Sequence, residues 1–394
     1  MHEMAGTFDP DIIIVGGGPV GATLALALAQ GAPALKVTVL EAQANIAARP
    51  DTRTLALSHG SRLVLERVGI WDQLSAVTPI THIHISQRGS FGRALLSAKE
   101  AGLPALGYVI PYAALQHALH TALQLSSVRY LMGAQVSAVV PGAAAAAVHF
   151  SYEGTEQIFN SRLAALADGG RSLQDIPGIV RERRDYHQTA VVCPVITELP
   201  HQHFAYERFT EEGPAALLPS GEGYALVWTT TPERAERILA LSETEFLSQL
   251  HTHFGDRQGR FLQAGPRASF PLNLCKSQPI TRERLVLIGN AAQMLHPVAG
   301  QGFNMGLRDA WELSREILGC APDAMGGAAM LDRYVASRRM DTQGGIFFTD
   351  LLVRGFSNRL AGLRQMRGFS LSVLDALPPL KSFVVRRMIF GAKG

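Results

Sequence analysis

Three glycines, Gly16, Gly18 and Gly21, follow the apolar run Ile12-Ile13-Ile14-Val15 with the spacing G-x-G-x-x-G. Glu41 closes a second apolar run about twenty residues further on. The spacing has a mechanical reading. The first glycine permits a sharp strand-to-helix turn, the second lets the backbone approach a pyrophosphate, and the third lets helix and strand pack closely. The Ala/Leu run at 22–30 then reads as a helix whose positive end faces the phosphates, and Glu41 is placed to bind ribose hydroxyls. The pattern predicts a dinucleotide site.

Other residues could join it. Asp168-Gly169-Gly170-Arg171-Ser172 follows the apolar run at 163–167, at the carboxyl end of a strand, where ligands bind in open α/β sheets; it could equally be only a turn. Residues 285–288 (LVLI) lead into Gly289-Asn290 and then His296-Pro297-Val298-Ala299-Gly300-Gln301-Gly302, a second glycine-rich passage into a helix N-terminus, suited to negative charge. On that helix Leu307, Ala310, Trp311, Ser314 and Ile317 read as the inward face, and Arg308, Asp309, Glu312 and Arg315 as the wet one. Arg53 either reaches a phosphate or ribityl chain, or forms a surface ion pair. His296 could relay a proton near neutral pH, although a hydrogen-bonded structural role is the stronger reading.

The elements that must carry these residues follow from periodicity. Residues 12–15 and 37–40 read as buried parallel strands, 58–74 and 111–125 as helices, and 128–140 and 148–159 as hairpin strands, with a turn in the alanine run at 143–147. His117 and His120 read as a solvated helix face beside Gln116. From 178 to about 265 the texture changes to β-rich runs at 191–197, 203–209, 216–218 and 224–230, the mark of an antiparallel sheet, followed by an amphipathic helix over 232–254. The β/α texture then returns. The fold class is therefore α/β, a nucleotide-binding domain (1–76, 106–177 and 266–340) carrying an inserted sheet domain (77–105 and 178–265) and a C-terminal helical region (341–394).

Composition sets the outer limits. At 394 residues, 47% hydrophobic and 18% charged, the chain can form two domains with a large core. A net charge of +3 is too small to imply nucleic acid. Three scattered cysteines, with no C-x-x-C pair and no H-E-x-x-H spacing, give no metal site or disulfide framework and fit a reducing cytoplasm. Residues 12–35 are uncharged and long enough to cross a bilayer, but their glycines and two prolines favour a water-soluble fold, and no signal peptide is read before them.

Four motifs fall in one order: GGGPVG, DTRTLAL, the Asp168-Gly169 step, and LVLIGNAAQMLHPVAGQGFNMGLRDA. In them the chain resembles the flavin-dependent aromatic hydroxylases over nearly its full length, and GNAAQ tilts it toward their ubiquinone-biosynthesis branch. The resemblance implies a Rossmann-like FAD-binding domain of the group A monooxygenase type. It implies that Gly16, Gly18 and Gly21 hold the FAD pyrophosphate and Glu41 the ribose, and that Arg53, Gln116, Asp168 and Gly169 touch the cofactor. Asn290 would meet the ribityl or pyrophosphate region, and Pro297, Gly300, Gln301, Gly302 and Asn304 would line the flavin ring, with His296 and Pro297 nearest the chemistry. Two departures stand out. Asn290 replaces an aspartate, keeping an acceptor oxygen but losing the charge. In the family's D-G-x-x-S-x-x-R motif, Asp175 stands in place of an arginine that assists the pyridine nucleotide.

The implied reaction is hydroxylation of a polyprenylated phenol by O2, by way of a flavin hydroperoxide, with NAD(P)H as transient co-substrate. A flavin-dependent reductase or cyclase, and a flavin-binding subunit of a ubiquinone-biosynthesis complex, are the rival readings. Residues 351–394 carry eight Lys/Arg against one acid among apolar residues. They read either as a basic amphipathic surface for an anionic inner membrane or a partner protein, or as an ordinary helical subdomain.

Overall fold

The computed structural model describes residues 10–45, 53–173, 176–296, 300–356 and 361–391, with the backbone alone over 346–356 and 361–367. At its centre is a six-stranded sheet ordered Thr281–Arg282 (β19), Leu285–Leu287 (β20), Leu163–Leu166 (β12), Ile12–Val15 (β1), Val37–Glu41 (β2) and Arg129–Met132 (β8). All its pairings are parallel except the β19 edge. β1 and β12 read as unbroken apolar runs because both faces are covered. One face packs helices Pro19–Gly31 (α1), Tyr112–Leu125 (α3) and Gln301–Leu318 (α6); the other packs a three-stranded meander of Gln135–Val140 (β9), Ala146–Tyr152 (β10) and Thr155–Ser161 (β11). β8 therefore belongs to the central sheet, and only β9 onward forms hairpins. Gly133, with φ +82, redirects the chain between them.

A small sheet of Thr54–Ser58 (β3), Gly107–Pro111 (β7) and Thr78–Ile80 (β4) leads to a large one. Its order is Gln293–Met294 (β21), Ala268–Gln278 (β18), Val180–Thr197 (β13), Gly223–Thr230 (β16), Pro214–Ser220 (β15), Phe204–Phe209 (β14), His82–Gln87 (β5) and Arg93–Ser97 (β6), with Phe261–Ala264 (β17) also on β13. The sheet thus runs past the expected boundary at 265. β18 pairs along β13 from Ala268 to Gln278, although Pro266 and Pro271 give that stretch the look of a loop. Its outer face packs Pro232–Ala240 (α4) and Glu243–Phe254 (α5) around Trp228, Phe246, Leu250 and Phe254, each large side chain contributing about 1.5–3 kcal/mol by burial. The single helix expected over 232–254 is two, because Ser242 and Glu245 form a reciprocal capping box that starts α5 afresh.

His59–Arg67 (α2) is shorter than the expected 58–74. Ser58 caps it, and Gly69 at φ +73 turns the chain into a short 3-10 segment at Trp71–Gln73. Ala328–Phe356 (α7), Ala361–Ala376 (α8) and Pro378–Phe390 (α9) close the chain. Among the described residues no single helix is long and apolar enough to cross a membrane; the α8–α9 pair, bent by 99°, meets the length and composition test only jointly.

Candidate active site

The β1–α1 turn is built as its glycines require. Gly16 has φ +104, and a Cβ there would lie 2.8 Å from the Asp168 nitrogen. A Cβ at Gly21 would run into the Gly16 carbonyl oxygen, so that glycine serves helix–strand packing. Gly18 differs: its Cβ position is open, with nothing within 4 Å, and it caps α1 without a side-chain acceptor. Gly18, Pro19 and Val20 border the cavity, so the N-terminal end of α1 opens on it. Glu41 accepts the Gly17 N–H at 2.7 Å and the Gln43 N–H at 2.8 Å, so its carboxylate fastens the turn as well as facing the cavity.

A second helix N-terminus opens on the same space. Gly300, at φ +61, caps α6, again without a side-chain acceptor. Asn304 is committed to the framework. Its Oδ1 accepts the Ser58 N–H at 2.8 Å, and its Nδ2 donates to Ala56 O at 3.0 Å and Gly300 O at 2.6 Å, tying α6 to β3.

Asp309 corrects the helical-face reading. Expected in water, it is 1% exposed and accepts hydrogen bonds from Gly289 N at 3.1 Å, Gln293 Nε2 at 3.0 Å and Arg338 Nε at 2.7 Å. Arg338 also meets Asp341 at 2.8 Å, and Asp341 meets Arg308 at 2.7 Å. Burial pushes the Asp309 carboxyl up, against the opposing pull of Arg338. The loop carrying Asn290 is thus held from behind by a buried ion cluster.

Asp168 accepts the N–H groups of Gly170 at 2.9 Å and Ser172 at 2.7 Å, making the turn rigid. Asp175 lies outside the described residues. An arginine nonetheless reaches this corner from β13, where Arg181 donates to the carbonyls of Gly170 (3.1 Å), Gly169 (3.0 Å) and Asn290 (3.3 Å). Arg53 borders the cavity, and its guanidinium lies 4.8 Å from the Tyr112 ring centroid and 5.9 Å from that of Phe270.

His296 is not on the cavity wall, to which Met294 and Leu295 contribute. It is fully buried, its Nε2 lies 3.1 Å from Gln188 Oε1, and the Tyr186 ring meets it edge-on. Burial pulls its pKa down to about 4, so the ring is neutral near pH 7 and unsuited to relaying protons there. Pro297 lies outside the described residues.

Gly16, Gly18, Glu41, Arg53, Gln116, Asp168, Gly169, Asn290, Gly300, Gln301, Gly302 and Asn304 all border one continuous cavity of about 1160 Å³. That exceeds the 300–1,000 Å³ typical of a single small-ligand pocket. One end carries the two uncapped helix N-termini and the open Gly18. The other is apolar, walled by the inner face of the large sheet (Ile83, Ile85, Leu218, Val227) and by Leu374 and Val385 of α8 and α9. These residues fit a flavin dinucleotide: backbone donors for its phosphates, room at Gly18 that a Cβ would fill, and a dry chamber beyond. Sequence reasoning missed Glu207, which stands on that apolar wall.

The sequence profile of the FAD binding domain family matches residues 9–344. The chain belongs to this family, and FAD is its cofactor. More particularly, it is 35% identical over 386 residues to ubiquinone hydroxylase UbiL of Rhodospirillum rubrum, covering 95% of this chain and 88% of that protein. It is 31% identical to 3-demethoxyubiquinol 3-hydroxylase of Escherichia coli, covering 94% and 96%. In fold it is similar to p-nitrophenol 4-monooxygenase PnpA of Pseudomonas putida, with a TM-score of 0.78 at 17% identity over 98% of this chain and 99% of that one.

Proposed function

We propose that the protein is an NAD(P)H-dependent FAD monooxygenase that hydroxylates the ring of a polyprenylated phenol in ubiquinone biosynthesis. The observation that carries this reading is one cavity with two different ends: backbone donors at two helix N-termini on one side, an apolar chamber on the other. The names of the full-length relatives supply the pathway and substrate class.

FAD, when bound, supplies hydride acceptance and oxygen activation. The chain supplies the rest. The α1 N-terminus and Gly18 receive the pyrophosphate, with Glu41 near the ribose. Asn290 and the α6 N-terminus at Gly300 to Gly302 hold the ring end and favour negative charge there. Asp309 and Arg181 position the Gly289–Asn290 and Gly169–Gly170 turns. The apolar walls exclude water and seat the aromatic ring. The test is oxygen uptake coupled to NAD(P)H oxidation with 2-prenylphenol, with one ¹⁸O atom from O2 appearing in the product. NAD(P)H-reducible flavin that never yields an oxygenated phenol would refute the proposal.

The surface where a prenyl chain would enter supports a cytoplasmic protein peripheral on the inner membrane. Among the described residues its α8–α9 corner exposes large apolar side chains. Phe369, Leu377, Leu380 and Phe383 are 42–65% exposed at the α8–α9 corner, whereas Lys381 pairs with Glu100 and Asp375, and Arg387 donates to the Met340 carbonyl. Changing Phe369 and Phe383 to serine should release the protein from phosphatidylglycerol vesicles. Unchanged co-sedimentation removes this contact, and co-elution with other pathway enzymes would assign the corner to a protein complex.

A further inference from the structure

Glu207 lies on β14 with Ile85 opposite it on β5 and Ala216 opposite it on β15. The row continues through Ala94, Val227, Val192 and Ala268. Side chains alternate along a strand, so Ala205, Glu207 and Phe209 share one face of β14. Tyr206 packs with the α4–α5 core on the other face, where Arg208 donates to the Phe254 carbonyl. Among the described residues, Glu207 is the one ionisable side chain on the sheet's inner, cavity-lining face.

Among the described residues its neighbours on this face are mostly apolar. β5 and β15 present Ile83, Ile85, Ala216 and Leu218, and α8 opposite presents Ser370, Leu371 and Leu374. The nearby charged or titratable groups His84, Arg208 and Arg257 belong to the reverse face. Asp375 of α8 is engaged by the Leu95 N–H and by Lys381. Arg53, Arg171, Glu41 and Asp168 belong to the dinucleotide end, and Glu222 to the β15–β16 turn. Among the described residues no cation or donor reaches the Glu207 carboxyl. A carboxyl facing an apolar chamber without a partner is destabilised there unless a ligand supplies one.

We propose that Glu207 is a catalytic residue that receives the ring hydroxyl of the phenol substrate and takes up its proton during hydroxylation. This rests on the monooxygenase reading above. The substrate O–H bond breaks, and its electron pair stays on the substrate oxygen and enriches the ring carbons ortho and para to it. The proton bonds to a Glu207 oxygen. The inserted oxygen comes from O2 and the electrons from NAD(P)H, the second oxygen atom leaving as water. Once the hydroxylated carbon has lost its own C–H proton to water and the ring is aromatic again, Glu207 returns its proton to the product oxygen. Burial pushes the Glu207 pKa up to about 7, closer to a phenol than an ordinary carboxylate and near working pH, where a general base is most effective. The same contact would orient the ring, because among the described residues Glu207 is the one ionisable side chain on that face.

The test uses the FAD-loaded full chain. With 2-prenylphenol and NAD(P)H, Glu207→Gln should lower product formation by about 10²- to 10³-fold, and Glu207→Asp should restore part of it. The rise of wild-type rate through about pH 7 should vanish in Glu207→Gln. A readout independent of turnover is the ionisation of bound 4-nitrophenol, followed by its coloured phenolate. Beside a carboxylate the probe keeps its proton to higher pH, so its ionisation constant in Glu207→Gln should be at least tenfold larger than in wild type. Equal probe ionisation, or unchanged rate and pH profile, overturns the inference while wild-type turnover leaves the functional reading intact. Loss of flavin from both variants also overturns it, by assigning Glu207 to the framework. Wild-type protein that hydroxylates no phenol removes the functional reading and this inference together.

Discussion

The buried Asp309–Arg338 pair offers a quantitative test of how the flavin-side loop is held. Asp309→Asn removes a charge 2.7 Å from Arg338 and turns one acceptor atom into a donor facing Gly289 N, Gln293 Nε2 or Arg338. Breaking a buried pair from one side costs about 3–5 kcal/mol. The lower end applies, because Arg338 retains Asp341 at 2.8 Å. A 394-residue chain at about 2.1 cal/mol/K per residue has an unfolding entropy of about 0.8 kcal/mol/K, so about 3 kcal/mol corresponds to a fall in Tm of ~4 °C. Arg338→Met alone should cost a similar amount, and the double variant clearly less than the sum, because its cavity holds no stranded charge. The Gly289 N–H also loses its fixed acceptor, so FAD affinity should fall roughly tenfold, the equivalent of one weakened hydrogen bond. Thermal unfolding of the apoprotein and fluorescence titration with FAD read the two effects separately. A coupling energy under about 0.5 kcal/mol, or unaltered FAD affinity, would refute the view that this cluster positions the loop.

The two glycines of the first turn should separate folding from binding. Gly18→Ala meets nothing in the protein, so apoprotein Tm should hold while FAD affinity drops; Gly21→Ala strikes the Gly16 carbonyl and should lower Tm itself by several degrees. Equal behaviour of the two would contradict the geometry. Acid should destabilise the protein between pH 6.5 and about 4. His296 and His253 have folded pKa values of about 4 and about 3 against 6.5 unfolded, so the unfolded chain binds more protons across that window, and the stability present above pH 6.5 drains as the pH falls. For His296 this amounts to ~3 kcal/mol, and His296→Gln should flatten the slope of denaturation midpoint against pH. Glu207 acts with the opposite sign: held neutral to about pH 7, it erodes stability as pH rises from about 4.5, and Glu207→Gln should remove that loss. Arg181→Met deprives three carbonyls of a donor and should weaken FAD binding by about tenfold with a smaller change in Tm; tight binding in that variant would show that Arg181 does not hold the corner.

The FAD-binding half was legible because its signals are local. A glycine that must adopt φ +104, a strand buried on both faces and a helix N-terminus are properties of a few consecutive residues, and they announce themselves at Gly16, Ile12–Val15 and Gly18. Gly300 and the start of α6 were legible for the same reason. What stayed hidden depends on pairing across distance. Asp309 looks like a wet helical residue until α7 brings Arg338 against it from 29 positions away. Arg181 is unremarkable until an 18-residue strand delivers it to the Gly169 turn. At His296 the structural role was already the stronger reading, and the packing of Gln188 and Tyr186 supplies the partners that the sequence could not name. Glu207 is the clearest case. The alternation in Phe204–Phe209 divides two faces but does not say which one meets the helices, and that choice, made by the α4–α5 layer on the opposite side, puts its carboxyl into the apolar chamber. Sequence by itself determined the cofactor end, because backbone conformation there is set by residue type. Only the tertiary structure decided the chemistry of the substrate end, because burial and charge partnership are properties of what the rest of the chain packs around a residue.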